Sequence, residues 1–352
     1  MTHQPDYTRI LDAALNRSVD TFPLYDHNFD NGLIGEILNI DIKSLGASDN
    51  LADKREFFMN YAKFHKDMGY DVVIFEMCAG GAMPGSGSLG NHVPGVIKNY
   101  EDFEKYPWDE IPDRYFNMYD NNFKILAETM PDGMKAVGGV GNGIFECVQD
   151  VTGYMDLCYM KIDDPELYEA MFHKVGDMLY KIWSRFLEKY GDAFCICRFG
   201  DDLGFKSETL ISHDDIKQLV LPQYKRIVDL VHSYNKPFLL HSCGQLFGVM
   251  DEIIDFTGID AKHSNEDAIA PFSKWVQEYG DRIGNFGGID TDVICSDDEK
   301  YVRDYTIDVL NSVNGKKGIA IGTGNSVPDY VSVTGYLTMN KTIREYRNKC
   351  KM

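Results

Sequence analysis

The sequence predicts an α/β fold, a (β/α)8 TIM barrel. Three observations carry this: a length of 352 residues, eight short apolar runs bounded by Gly, Asp or Pro, and helical periodicity between those runs. The length suits a single barrel domain over 1–352, with an N-terminal helical extension and a long loop after the second strand. An open doubly wound sheet is the alternative that shares the same alternation.

In chain order, residues 1–20 read as a short amphipathic helix with charges throughout, lacking the apolar core and cleavage site of a secretory signal. The first strand is predicted over 21–28 (TFPLYDHN), a helix over 51–68, and the second strand over 71–77 (DVVIFEM). The stretch 79–95 (AGGAMPGSGSLGNHVPG) is glycine-rich and too long for a tight turn. With the acidic, aromatic segment NYEDFEKYPWDEIPDRYF behind it, it reads as a lid or mouth loop, a plain surface loop being the alternative; it has no phosphate-loop pattern. The third strand is 134–140 (MKAVGGV). A helix over 165–189 opens on Asp164-Pro165 and places Leu167, Met171, Val175, Met178, Ile182 and Phe186 at spacings of three or four. The fourth strand, 193–199 (AFCICRF), leads to a helix over 212–234 that starts with Ser212 and Asp215 in a capping-box-like arrangement. The remaining strands are 237–242 (PFLLHS), 259–263 (IDAKH), 283–289 (IGNFGGI) and 318–323 (GIAIGT), with helices near 247–256, 270–279, 297–313 and 332–348.

Composition narrows the function. A formal charge of -20 argues against nucleic-acid or anionic-membrane partners, and no apolar stretch approaches the roughly 20 residues of a bilayer span. Eight scattered cysteines (78, 147, 158, 195, 197, 243, 295 and 350) form no disulfide framework, so reduced thiols and a cytoplasmic protein are expected.

Barrel enzymes build their sites at the carboxyl ends of the strands. Those ends carry Asp26 and His27, Glu76 and Cys78, Asn142, Asp201 and Asp202, His241 and Cys243, His263 and Glu266, Asp290, and Asn325, an acidic rim with Arg198 and Lys262 as its nearby cations. His241 and Cys243 stand two apart on one strand, project to one face, and can grip one ion through nitrogen and sulfur, for which zinc is the natural candidate. The plain alternative is an interior histidine beside a small buried thiol.

The segments GDDLG, LVLPQYKRIVDLVHSYNKPFLLHSCG, GDRIGNFGGIDTDVI and GTGNSVP together resemble the uroporphyrinogen decarboxylase superfamily, in the branch of cobalamin (corrinoid)-dependent methyltransferases. That resemblance covers about 130–350 well and implies a zinc held by the His and Cys of H-x-C-G, here His241 and Cys243, and by a second cysteine near the last strand. At that last position this chain has Asn325, so Glu76, Cys78, Asp201, Asp202 and His263 are candidates to complete the site. A decarboxylase acting on a polycarboxylate needs arginines near the first strand, and FPLYDHNFDNG has none. The reading is corrinoid-dependent methyl transfer, with Asp201, Asp202, Glu76 and His27 as catalytic candidates and Asn142, His263 and Asn325 as cofactor contacts. A D-x-H-x-x-G corrinoid motif is missing, so a separate corrinoid protein is the expected partner, and the resemblance also implies a homodimer. The other readings are a decarboxylase and a non-catalytic ligand-binding barrel.

Overall fold

The computed structural model describes residues 3–90 and 93–349. Cys350, and Asn91 and His92 of the glycine-rich stretch, lie outside the described residues. Among those described, seven strands form one parallel sheet in sequential order: β1 (Val73–Cys78), β2 (Ala136–Gly141), β3 (Phe194–Gly200), β4 (Phe238–His241), β5 (Ala261–His263), β6 (Gly284–Ile289) and β7 (Ile319–Thr323). Each matches a predicted run within two or three residues.

The predicted first strand is the correction. Over 21–28 the chain makes an isolated parallel bridge from Leu24 to Ile321 of β7, with Tyr25 N–H on Ile321 C=O and Ile321 N–H on Pro23 C=O, and Asn28 C=O accepts from Val327 N–H past the end of β7. Its far side forms no ladder with β1. There Ile74 N–H donates to His65 Nε2, and Ile74 C=O accepts from the Tyr61 hydroxyl at 2.8 Å. Both side chains come from the helix Leu51–Met68, so the outward groups of Ile74 are satisfied without an eighth strand. The sheet still curls, because the 21–28 segment touches β7 by backbone and β1 by side chain, Asn28 Nδ2 donating to Glu76 Oε1.

One end of the curl is filled by apolar groups. The helix Thr8–Ala14 buries Ile10, Ala13 and Ala14 against Val72, Ile74, Val137, Leu239 and Phe286. A fully buried Ile or Leu stabilises by about 1.5–3 kcal/mol, so this plug anchors the N-terminal extension instead of leaving it on the surface. A larger core lies between sheet and helices, where Pro165–Tyr190 buries the predicted face Leu167, Met171, Val175, Met178, Ile182 and Phe186.

Helical stretches also differ from expectation. The predicted 212–234 helix is capped by Ser212, whose side chain accepts from Asp215 N–H, but winds as a π segment over Ile216–Val220 before Leu221–Ser233. Pro222 lacks the N–H that regular winding needs. The acidic, aromatic segment folds into Tyr100–Lys105 and Ile111–Thr129, with Pro112 in its first turn. Ile144–Thr152, absent from the predicted elements, straps the glycine-rich stretch: Gly87 and Leu89 N–H groups donate to Asp150 Oδ1, and Val96 and Ile97 N–H groups to Val151 C=O. No described helix is long and apolar enough to cross a membrane.

Candidate active site

The polar end of the curl gathers side chains from β1, β3, β4 and β5 and from the 21–28 segment. His27 stacks on His241 with ring centroids 3.6 Å apart, and His241 Nδ1 lies 2.8 Å from His263 Nδ1. Space for His263 comes from Gly287 of β6, where φ is +114° and a Cβ would stand 3.2 Å from the His263 ring and 2.6 Å from Asn265 Oδ1.

The hydrogen bonds fix the tautomers. His263 Nε2 is 2.9 Å from Thr323 C=O, which only accepts, so Nε2 carries the proton and Nδ1 offers a lone pair. His241 Nδ1–H donates to that lone pair, leaving His241 Nε2 unprotonated and aimed at Cys243 Sγ at 3.4 Å and Asp202 Oδ1 at 3.7 Å. Burial holds all three imidazoles neutral, pushing His27 and His241 well below their usual range and His263 to about 3; the nearby Arg198 charge adds to this for all three.

His27, His241 and His263 bring ligand atoms within 4.8 Å of one another, and so do Asp202, His241 and Cys243. The first trio is engaged internally: both His263 nitrogens are bonded, and His27 Nδ1 accepts from Arg198 Nη1, which leaves the His27 proton on Nε2. The second trio presents nitrogen, sulfur and oxygen together, a donor set suited to zinc. Cys243 Sγ accepts from Ser264 Oγ at 3.6 Å and from Asn325 Nδ2 at 3.4 Å, while Asn325 Oδ1 accepts from Ser326 N–H. The amide that replaces the expected cysteine therefore points a donor at the sulfur. Burial first, then the Asp202 charge, pushes the Cys243 thiol well up, so its thiolate form calls for a bound cation.

Arg198 is fully buried, and its Nη1 donates to Tyr25 Oη, His27 C=O and His27 Nδ1. Its Nη2 lies 2.6 Å from Glu76 Oε2 but is misaligned for a hydrogen bond, so the pair is a charge contact with both atoms otherwise unpartnered. Lys262, the second predicted rim cation, is also buried; its Nζ sits 3.8 Å above the Trp275 ring and donates to Ser264 C=O, and burial pulls it down to about 7. Neither cation faces the mouth as an open anion receptor.

Asp201 and Asp202 diverge. Asp201 is buried and accepts from Phe145 N–H, Glu146 N–H and the Tyr224 hydroxyl. It thus caps the helix Ile144–Thr152, not the Ser212 helix, and Gly143 makes room for it, since a Cβ there would lie 2.3 Å from Asp201 Cβ. Burial pushes its carboxyl up to about 6. Asp202 faces the mouth and accepts from Cys243 N–H at 2.9 Å.

Asn142, with φ +61°, ends β2 and donates to Glu146 Oε2 while accepting from Gly80 N–H. Glu146 is a site residue the sequence reading missed. Its Oε1 accepts from Asp202 N–H, and burial together with Asp202 and Asp201 pushes its carboxyl well up. The signal for it was its place four residues past Asn142 at a strand's carboxyl end. Cys78 is open by surface area yet deep in the concavity; burial and the Glu76 and Glu146 charges push its thiol up, and its sulfur is not within ligand distance of the His241 group.

A sequence profile described as Uroporphyrinogen decarboxylase (URO-D) matches residues 71–346. No curated protein sequence matches the chain. Among solved structures, a methyltransferase from Methanosarcina mazei is similar at 15% identity and TM-score 0.71, covering 96% of this chain and 98% of that one. A putative vitamin-B12 independent methionine synthase from Listeria monocytogenes is similar at 13% identity and TM-score 0.51, covering 94% and 98%. At these identities the likeness establishes a shared fold.

Proposed function

The chain belongs to the uroporphyrinogen decarboxylase (URO-D) family, and from that premise we propose that it is a methyltransferase in which His241, Cys243 and Asp202 hold a zinc ion. The observation that carries this reading is the unprotonated His241 Nε2 beside Cys243 Sγ, fixed by the relay through His263 to Thr323. Zinc in such a site supplies Lewis acidity to a thiol acceptor or a methyl donor.

The protein's own groups would do the rest. Ser264 and Asn325 donate to the sulfur and steady its anionic form. Glu146, held toward its protonated form at the mouth, is suited to hold a proton released by an acceptor. Asp201 acts through position, by holding the helix that carries Glu146.

Decarboxylation of a polycarboxylate finds less support, since Arg198 and Lys262 are both buried and engaged. One structural relative is named a methyltransferase and the other a vitamin-B12 independent methionine synthase, so a corrinoid brought by a separate protein is a distinct part of the proposal.

Metal analysis of protein purified without added zinc tests the site: near-stoichiometric zinc is expected, and its loss from His241→Ala and Cys243→Ser. Zinc-free wild-type protein would sink the metal. Free methylcobalamin tests the methyl route, because its absorption spectrum should change when candidate thiols are supplied. Consumption of uroporphyrinogen with no response to methylcobalamin would replace methyl transfer by decarboxylation.

A further inference from the structure

The seam between β1 and the 21–28 segment holds a cavity of about 260 Å³, with Asn28 and Asn31 on one side and Phe75, Glu76 and Met77 on the other. The helix Leu51–Met68 closes it with Lys54, Phe57, Phe58 and Tyr61. Its walls are aromatic: Phe57 stacks on Tyr61 at 5.5 Å, and Phe58 meets Phe75 edge-on at 5.0 Å.

Its polar atoms are left over from the fold. The half-buried Lys54 side chain makes no hydrogen bond or ion pair with a described residue. Asn122 lines the cavity with a buried Oδ1 that accepts no hydrogen bond, its Nδ2 being spent on Met77 Sδ. A buried acceptor without a donor costs about 1–3 kcal/mol and Lys54 has no anion beside it, so the cavity is matched to a molecule that supplies what these groups lack.

We propose that this cavity binds a small aromatic carboxylate. Its ring packs among Phe57, Phe58 and Phe75, its carboxylate meets Lys54, and a hydroxyl or amino group on the ring donates to Asn122 Oδ1. Lys54 is the one cation among the residues that line the cavity, which matches a monoanion better than a dianion such as a phosphate monoester. The site lies outside the His241, Cys243 and Asp202 group and does not depend on the methyl-transfer reading.

Titration calorimetry of the full chain with para-hydroxybenzoate tests it, beside para-hydroxybenzyl alcohol, which keeps the ring and hydroxyl and loses the charge. Saturable binding is expected, weakened about tenfold or more by Lys54→Gln and by Asn122→Ala. The alcohol should bind wild type and Lys54→Gln alike. Circular dichroism confirms that both variants fold, as expected for half-buried positions. No saturable binding of para-hydroxybenzoate at millimolar concentration, or binding that Lys54→Gln leaves unchanged, overturns the proposal.

Discussion

Replacing His263 by Phe removes the acceptor that fixes the His241 tautomer while keeping a ring of similar size. Two buried groups lose their partners, His241 Nδ1–H and Thr323 C=O, now bonded at 2.8 and 2.9 Å. At about 1–3 kcal/mol for each orphaned group, and with the Phe ring recovering part through apolar contact, the variant should lose about 2–4 kcal/mol of stability. The effect on metal is separate. Without the relay, His241 is free to place its proton on Nε2 or to turn its ring, and loss of such an orienting partner lowers metal affinity about 10–100-fold. Competition with a chromophoric zinc chelator reads the affinity, and urea denaturation of metal-free protein reads the stability. His263→Gln is the control: its carbonyl can accept from His241 Nδ1–H and its amide can donate to Thr323 C=O, so it should recover most of the affinity. If His263→Phe binds zinc as tightly as wild type while His241→Ala does not bind it, the relay has no part in preparing the site.

Arg198→Met should cost about 3–5 kcal/mol, because Glu76 is left charged and buried; adding Glu76→Gln should restore part of that loss, and urea denaturation of the pair would show no such recovery if the charge contact is inert. Asn325→Cys places a thiol beside Cys243 Sγ and should raise zinc affinity at least about tenfold in the same chelator competition; unchanged affinity would mean that this position does not reach the metal. Asp201→Asn should weaken the cap by about 1–2 kcal/mol and also flatten a pH slope. With its folded pKa raised to about 6 against an unfolded value near 3.9, Asp201 contributes stability that is fully present below about pH 4 and is lost as pH rises through about 6. Denaturation midpoints at about pH 4, 5 and 7 should therefore diverge between variant and wild type, and parallel curves would remove Asp201 from the titration.

The sheet was legible because β2 to β7 are buried on both faces, which writes them as largely apolar runs such as FCICRFG and IAIGT. Residues 21–28 share that look, yet make no ladder with β1, because side chains of the helix just before β1 take up the outward groups of Ile74; an amphipathic helix pattern does not announce that Tyr61 and His65 will turn to the strand edge. The meeting of His241, Cys243 and Asp202 in the candidate site was legible, because strand ends and two-residue spacing govern direction there. It was illegible where a partner comes from elsewhere in the chain. Asp201 and Asp202 are neighbours in sequence, and only the unforeseen helix Ile144–Thr152 decides that one becomes its cap and the other faces the mouth. Arg198 and Lys262 look like rim cations in sequence, but the curl turns them onto Glu76 and Trp275.

The seam beside β1 gives the molecule a weak point in acid. Ile74 N–H donates to a histidine lone pair where a strand would have offered a carbonyl, and burial keeps His65 neutral down to about pH 4. In the unfolded chain the same imidazole takes a proton near pH 6.5, so the stability it contributes is fully present above that value and drains away as pH falls toward about 4. Once protonated, Nε2 has no lone pair left for Ile74, and the edge of β1 loses its acceptor. Mild acid should therefore let deuterium into Ile74 before the interior amides of β2 and β3 exchange, opening the curl at a joint where side chains stand in for a neighbouring strand.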